Sequence, residues 1–453
     1  MAFFINIFTT AATWAGIWGA ALVSLARLAG IGIGALAGGA GTAKERIVAK
    51  ATAPEGLRLA LSVLRAVAPN IVLKRVVVKS YPNTGTALAT RHADVKDILA
   101  RNGDFEVVYA PRMEMITGGE NFFLGMQDTA RYTRDVSNMR LAARREDVAA
   151  VIAPLVAQEA GALVAAAKGS IDVPSALALP VAARLVARYF GTPGPGEAAM
   201  IDIATTLFWY LFIDLAADPA LDVRAEQAAA QLRATLDATI AARKAAPGRQ
   251  DDVLARCLAL QTSGTPGMDD LSIRNNLAGL VIGAIPTTSM ACAQALDQLL
   301  SRPDALAGAQ KAAREGDDKL LAAHVFEAMR FAPNNPVIYR RATRDTVVAA
   351  HTLRQRNIPK GTMVMAANLS AMFDPLVLDS PGAFRTDRPW HHYILWGDAQ
   401  HTCFGAHINA VTIPGILKPL LQKQGLRRVD GAAGQIGRNG TPFPVHFTVR
   451  FEP

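Results

Sequence analysis

Cysteine is scarce in this chain. Its 453 residues include three, Cys257, Cys292 and Cys403, with no pairing pattern. That excludes a small scaffold stapled by disulfides and fits a reducing compartment, where a free thiolate survives. No second cysteine or histidine stands at zinc-ligand spacing from Cys403, which argues against a zinc site. Charge is sparse too: 19% of residues are charged, with a net charge of +9. A basic chain invites a nucleic-acid reading, but no run of Lys and Arg with interleaved aromatics occurs, so no nucleic-acid partner is expected. The excess suits an acidic protein partner or anionic lipid. Hydrophobic residues make up 51%, high for a soluble protein but below a multi-span membrane protein. The length allows one large domain or two to three small ones.

Charge is absent altogether from Ala2 to Ala26. That stretch is long enough to cross a bilayer, which takes ~20 apolar residues. Phe3, Phe4, Phe8, Trp14 and Trp18 supply apolar and interfacial side chains, and a Gly/Ala-rich run follows Arg27 as far as Ala43. Lys44, Arg46 and Lys50 then hold the downstream chain in the cytoplasm by the positive-inside rule. Residues 1–43 are therefore expected to be a membrane anchor and residues 44–453 the functional domain. A signal peptide would need a basic start, and nothing basic precedes Arg27. A surface-lying amphipathic segment, or a chain that stays soluble in the cytoplasm, are the alternatives.

The chain is organised around Trp396 to Gly405, W-G-D-A-Q-H-T-C-F-G, which delivers Cys403 to the start of an apolar segment, Ala406 to Leu421. A cysteine at a helix N-terminus faces unpaired backbone N–H groups and the positive end of the helix dipole, and both favour the thiolate. Such a thiolate suits a metal taking one protein ligand, such as haem iron. Gly405 leaves room for a flat macrocycle. A buried structural cysteine is the other reading.

The stretch resembles the haem-binding loop of the cytochrome P450 family. An aromatic stands seven before the cysteine, Trp396, followed by Gly397. A basic residue, His401, stands two before it and Gly405 two after. One position departs: Ala399 occupies the place of a second glycine, so the loop must turn there with a Cβ. The pair Glu327 and Arg330, at i and i+3, lies at the family's distance upstream. The resemblance covers the chain from about residue 75 and implies a mainly α (α+β) fold, a large helical domain with a small β region.

What the family does with these positions carries over residue by residue. Cys403 becomes the proximal ligand of one haem b. Glu327 and Arg330 join Arg388, four after Phe384, to hold the loop. Arg340, in the strand-like R-R-A-T-R-D, and His401 bind haem propionates. Strand alternation sends Arg340 and Arg341 to opposite faces, so one of them reaches the haem. In the helical stretch Asp128 to Arg144 the usual histidine and arginine are absent: Tyr132 and Val136 stand there, which leaves Tyr132 and Arg134 as propionate candidates. Leu271 to Leu300 reads as a helix buried nearly all round. Its centre, Gly283 to Thr288, keeps the small residues and the threonine, Thr287, that the family uses for proton delivery, but Pro286 replaces the usual acid.

Elsewhere the patterns give helices over Glu45 to Ala68, His92 to Asn102, Val148 to Lys168, Ser175 to Phe190, Met200 to Leu215 and Val223 to Ala245, and a hairpin of Ile71 to Ser80 with Thr86 to Thr90. Phe105 to Phe123 is poor in helix pattern and reads as an apolar, core-packed loop; the resemblance implies that it lines the substrate pocket, which makes Val107, Val108, Tyr109, Met113, Met115, Ile116, Phe122 and Phe123 pocket candidates. Pro414 and Pro419 predict a kinked last helix. The resemblance implies a monooxygenase acting on an apolar small molecule with O2. No flavin or iron–sulfur domain is recognisable, so a separate ferredoxin or reductase would supply the electrons. Two further readings remain open: a haem-thiolate enzyme that uses or rearranges hydroperoxides, and a non-catalytic membrane-bound haem sensor.

Overall fold

The computed structural model describes residues 2–36 and 42–452, and side chains from Trp14 onward except at residues 49 and 52. Residues 37–41 of the expected anchor, and the side chains of Phe3, Phe4 and Phe8, lie outside that description. Contacts gather the chain into two compact units, one of Met1–Val77, Asn83–Glu106 and Glu327–Thr402, the other of Val78–Pro82, Val107–Phe326 and Cys403–Pro453.

The first unit holds the main sheet. Its strands run in the order Asn70–Leu73, Thr86–Ala89, Met363–Ala366, Ile338–Ala342 and Phe105–Glu106. The expected hairpin is there, with Asn70 opposite Ala89, but its first strand stops at Leu73. The single helix expected over Glu45 to Ala68 is two, Ala43–Thr52 and Pro54–Val67. Ala53 is extended and Pro54 opens the second helix, since the residue before a proline is pushed out of the helical region. The N-terminal helix, Ala2–Leu36, packs on Pro54–Val67 through Ile17, Ala21 and Ala66, and Arg27 pairs with Glu55.

A charged cluster lies at the heart of this unit. The helix Asp318–Phe331 presents Glu327 and Arg330, neither exposed at all (0%). Arg330 donates to both carboxylate oxygens of Glu327, at 2.7 and 2.9 Å. The same carboxylate accepts from Arg388 Nε at 3.2 Å, the Arg385 N–H at 3.0 Å and the Tyr393 hydroxyl at 2.9 Å. Arg330 also reaches the Met372 and Ala383 carbonyls, and Arg388 those of Asp379, Ser380 and Ala383. The segment leading to the cysteine loop is therefore tied to one buried helix.

The second unit is built on the helix Asp270–Leu300, with the helices Leu179–Tyr189, Glu197–Phe208, Pro219–Ala245 and Ala406–Leu421 against it. The helical patterns predicted over Val148 to Lys168, Ser175 to Phe190 and Met200 to Leu215 each appear, with a wider π turn at the start of the first two and the end of the third. Pro414 and Pro419 lie inside one continuous helix, Ala406–Leu421. The apolar stretch read as a loop contains a helix, Ala110–Thr117, begun by Pro111 and closed by Gly118 in the left-handed region (φ 84°). Eight residues show too little periodicity to be seen. The carbonyls at its end accept from Arg233 and Arg274, reaching in from two longer helices.

The Glu327 cluster gives the first prediction. Burial pushes the Glu327 carboxyl up, but Arg330, with the Arg385 N–H and Arg388, more than reverses this, so its pKa lies below the usual range. Its contribution to stability is complete above about pH 4.3 and is lost as acidification carries the pH below that. Glu327→Gln leaves two buried guanidinium groups without their counter-charge and should cost roughly 3–5 kcal/mol, read by urea unfolding at pH 7. The gap between variant and parent should narrow as the pH is lowered through 4.

Candidate active site

From Asn275 to Leu296 the central helix is buried everywhere except at Gly283, Ala284 and Thr287. These residues, at i, i+1 and i+4, fall on one face. Nothing lies within 4 Å of where a Cβ on Gly283 would sit. One turn earlier the same face is filled: a Cβ on Gly279 would stand 2.4 Å from the Phe122 ring. The helix thus opens onto free space over a single turn, and the apolar Phe122 closes one side of it. Thr287 donates its hydroxyl to the Gly283 carbonyl. Pro286 has no N–H, so the ladder bond to the Ile282 carbonyl is missing.

In the same unit Cys403 stands half-buried, three residues before the helix Ala406–Leu421. That helix packs on the central one, where the Cys292 thiol meets the Ile413 carbonyl at 3.9 Å. Burial pushes the Cys403 thiol up, while the Gly405 N–H and Arg140 pull it back without cancelling the rise. The helix end alone was expected to favour the thiolate. Burial outweighs it. Cys257 and Cys292 are buried thiols pushed up by desolvation, and Cys292 has no charged neighbour acting on it. They are core residues.

Phe404 lies between two side chains. The Phe123 ring sits 5.2 Å away, and the Arg140 guanidinium lies over the Phe404 ring at 4.1 Å. Arg140 also donates to the Phe404 carbonyl at 3.1 Å and to His407 Nδ1 at 3.0 Å. Burial, with Arg140 and Arg145 adding, pushes His407 down to about 4, so the neutral ring accepts. The sequence reading missed Arg140, although a signal exists. Tyr132, Val136 and Arg140 recur every four residues along one face of the helix Ala130–Ala142. The cation absent at Val136 reappears one turn on.

Of the remaining candidates, Tyr132 is buried, whereas Arg134 hydrogen-bonds its neighbour Asp135 at 2.8 Å and lies against Gly267. In the first unit, Arg340 and Arg341 do point to opposite sides. Arg340 is 3% exposed, while Arg341 is half-buried and pairs with Glu106 at 2.6 Å. His401 is half-buried at the end of a short turn, Ala399–His401. That loop is fastened to its own unit by Lys96–Asp398 at 3.3 Å, by Asn102–Gln400 at 2.6 Å and by the Trp390–Trp396 stack at 5.4 Å.

A family model described as Cytochrome P450 matches residues 199–401. The structure of P450BioI in complex with acyl carrier protein ligated by hexadec-9Z-enoic acid superposes with a TM-score of 0.74 at 20% identity, over 89% of this chain and 100% of that one. The chain is similar to the cytochrome P450 family over residues 199–401. At that identity the structural likeness speaks for the fold alone: this is the P450 fold, a large helical body with small sheets. A bifunctional dioxygenase–epoxy alcohol synthase of Fusarium oxysporum (strain Fo5176) is 28% identical over 214 residues, 45% of this chain and 16% of its own. A C-19 steroid 1alpha-hydroxylase of Sorangium cellulosum (strain So ce56) is 28% identical over 197 residues, 41% of this chain and 48% of that one. The aligned part spans at most about half the length of these relatives.

P450s use haem with an axial cysteine thiolate, and the residues present fit that group. A lone half-buried thiol lies beside a cation, and the packed helix next to it leaves one turn open at a glycine. No cluster of three or more His, Cys, Asp or Glu that could hold another metal occurs among the described residues.

Ala399 provides the second prediction. It adopts the left-handed conformation, φ 58°, where the family's glycine would be at ease. That conformation costs a non-glycine residue about 1–2 kcal/mol. Ala399→Gly relieves it but adds roughly 0.5–1 kcal/mol of unfolded-chain entropy. Net stabilisation of at most about 1.5 kcal/mol is expected, seen as a higher melting temperature. A lower one would show that the loop holds Ala399 without strain.

Proposed function

We propose that this chain is a haem-thiolate monooxygenase that inserts one oxygen atom of O2 into an apolar small molecule, with electrons from a separate ferredoxin or reductase. The observation that carries this reading is the single open turn at Gly283, Ala284 and Thr287 on an otherwise buried helix packed against the one that follows Cys403. Bound haem supplies the redox-active iron at which O2 is reduced. Cys403 would hold that iron through Sγ, and Gly283 and Ala284 leave space clear for the group along the central helix. Arg340 and His401, with Tyr132 and Arg134 as further candidates, would bind the propionates, which need cationic or hydroxyl donors. The substrate class follows from apolar residues: Phe122 closes one side of the open turn, and Met113, Ile116 and Phe123 are buried in the same unit. Lipids, terpenoids and steroids fit them.

Protons set the difficulty. The overall reaction takes up two electrons and two protons for each O2. Pro286 offers no carboxylate, so Thr287 Oγ1, with an ordered water, is what this chain has for relaying them. A second reading rests on that same proline. An enzyme that rearranges a hydroperoxide needs no such relay, and the relative named for epoxy alcohol synthesis makes this the competing activity.

The N-terminal helix supports membrane association. Within Trp14–Leu36 an 18-residue window has a mean hydropathy of 1.7 and is 17% buried, so most of an apolar stretch is left uncovered. Trp14, Trp18, Leu22, Leu25, Ile33 and Leu36 recur along one exposed stripe. We read it as the membrane contact that keeps the catalytic part in the cytoplasm.

Carbon monoxide added to the reduced holoprotein should give the red-shifted Soret band of a thiolate haem, and Cys403→Ala should abolish it; an unchanged band would overturn the ligand assignment. Thr287→Ala should lower product formed per electron pair by roughly 10-fold or more under O2 and reductase, with peroxide released instead. Turnover with an organic hydroperoxide alone, indifferent to Thr287→Ala, would favour the second reading. Removing residues 1–43 should shift the protein from the membrane to the soluble fraction with haem retained. A full-length protein that is monodisperse without detergent would count against membrane contact.

A further inference from the structure

Arg140 has no part in the assignments above. It carries three contacts, all directed at the start of the cysteine helix: the Phe404 carbonyl, the face of the Phe404 ring, and His407 Nδ1. With His407 neutral, these contacts gather no carboxylate, and among the described residues no ion pair neutralises the positive charge. The thiol of Cys403 lies in its field, and Arg140 is in turn steadied by that sulfur, while Arg145 and its own burial oppose it. The Nε2 of His407 is buried without a hydrogen-bond partner among the described residues, so the imidazole serves as a spacer with its Nδ1 turned to the guanidinium.

We infer that Arg140 is a positioning residue that fixes the Phe404 backbone and, through its uncompensated charge, sets how strongly the Cys403 thiolate donates to the bound iron. This rests on the haem-thiolate reading. A cation beside a thiolate draws electron density towards itself. The thiolate then gives less to the iron, the ferrous state is favoured, and the midpoint potential is higher than the cysteine alone would produce. The fork of contacts holds the guanidinium in place, and the guanidinium stays charged at any working pH. Arg140 stands two turns along the helix from Tyr132 and one turn beyond Val136, so this helix meets the haem region with a tyrosine and reserves its cation for the cysteine side.

The test is a redox titration of the substrate-free holoproteins. The carbon monoxide spectrum of the parent comes first: without a thiolate-type band the haem reading itself fails, and Arg140 is not at issue. With that band present, Arg140→Gln should shift the ferric/ferrous midpoint to lower potential with the thiolate band retained, and Arg140→Lys should return it to the parent value. A Gln variant at the parent potential overturns the inference. Equal shifts in the Lys and Gln variants overturn it too, because the charge would then not be the lever. If the Gln variant does not retain haem, the Lys variant decides alone: a parent-like potential supports the inference and a displaced one refutes it. A purely structural role would lower the melting temperature of the Gln variant and leave the potential unmoved.

Discussion

A carboxylate with no water around it has to be satisfied by the protein, and Glu327 is satisfied five times over by Arg330, Arg385, Arg388 and Tyr393. Burying such a group is costly, and each donor is needed to repay it. The donors come from a segment of more than sixty residues of chain, from Glu327 to Tyr393, so one charge fixes where that segment runs. Three residues after Tyr393 the loop that ends in Cys403 begins. The start of that loop is thus located by electrostatics, with the Trp390–Trp396 stack and Lys96–Asp398 adding local support. The same group makes the region vulnerable to acid, since protonating Glu327 removes the charge for which the arginines were buried.

Much of this was legible in the residues. The Glu327–Arg330 spacing, the arginine at 388 and the loop around Cys403 are local patterns, and local patterns survive in a sequence. Strand alternation also separated Arg340 from Arg341 correctly, because a period of two is fixed by the backbone. What escaped depended on tertiary partners. The helix Ala110–Thr117 is too short for periodicity, and arginines from other helices complete its end. The break at Ala53 needed only the rule for residues before proline, but the continuous apolar pattern masked it. Tyr393 carries no signal at all, since nothing near it in sequence marks a tyrosine that reaches a carboxylate sixty-six residues away.

The cysteine end shows how two local tendencies can oppose each other. A helix N-terminus favours the thiolate, and burial favours the thiol; here burial prevails. A sulfur held as the thiol is guarded against oxidation, because the thiolate is the form oxidants attack. Arg140 works against burial from one side and the Gly405 N–H from another. The thiol therefore starts part of the way towards the thiolate.

Pro286 has a mechanical consequence as well as a chemical one. A buried helix of 31 residues behaves as a stiff rod, its ladder of hydrogen bonds resisting bending along the whole length. Removing one rung at the centre turns it into two shorter rods with a compliant joint between them. The joint coincides with the only turn left uncovered between Asn275 and Leu296. Flexure is cheapest where a guest molecule would press. The fold can then yield to molecules of different shape by bending at that joint, while the packed halves on either side keep their registry.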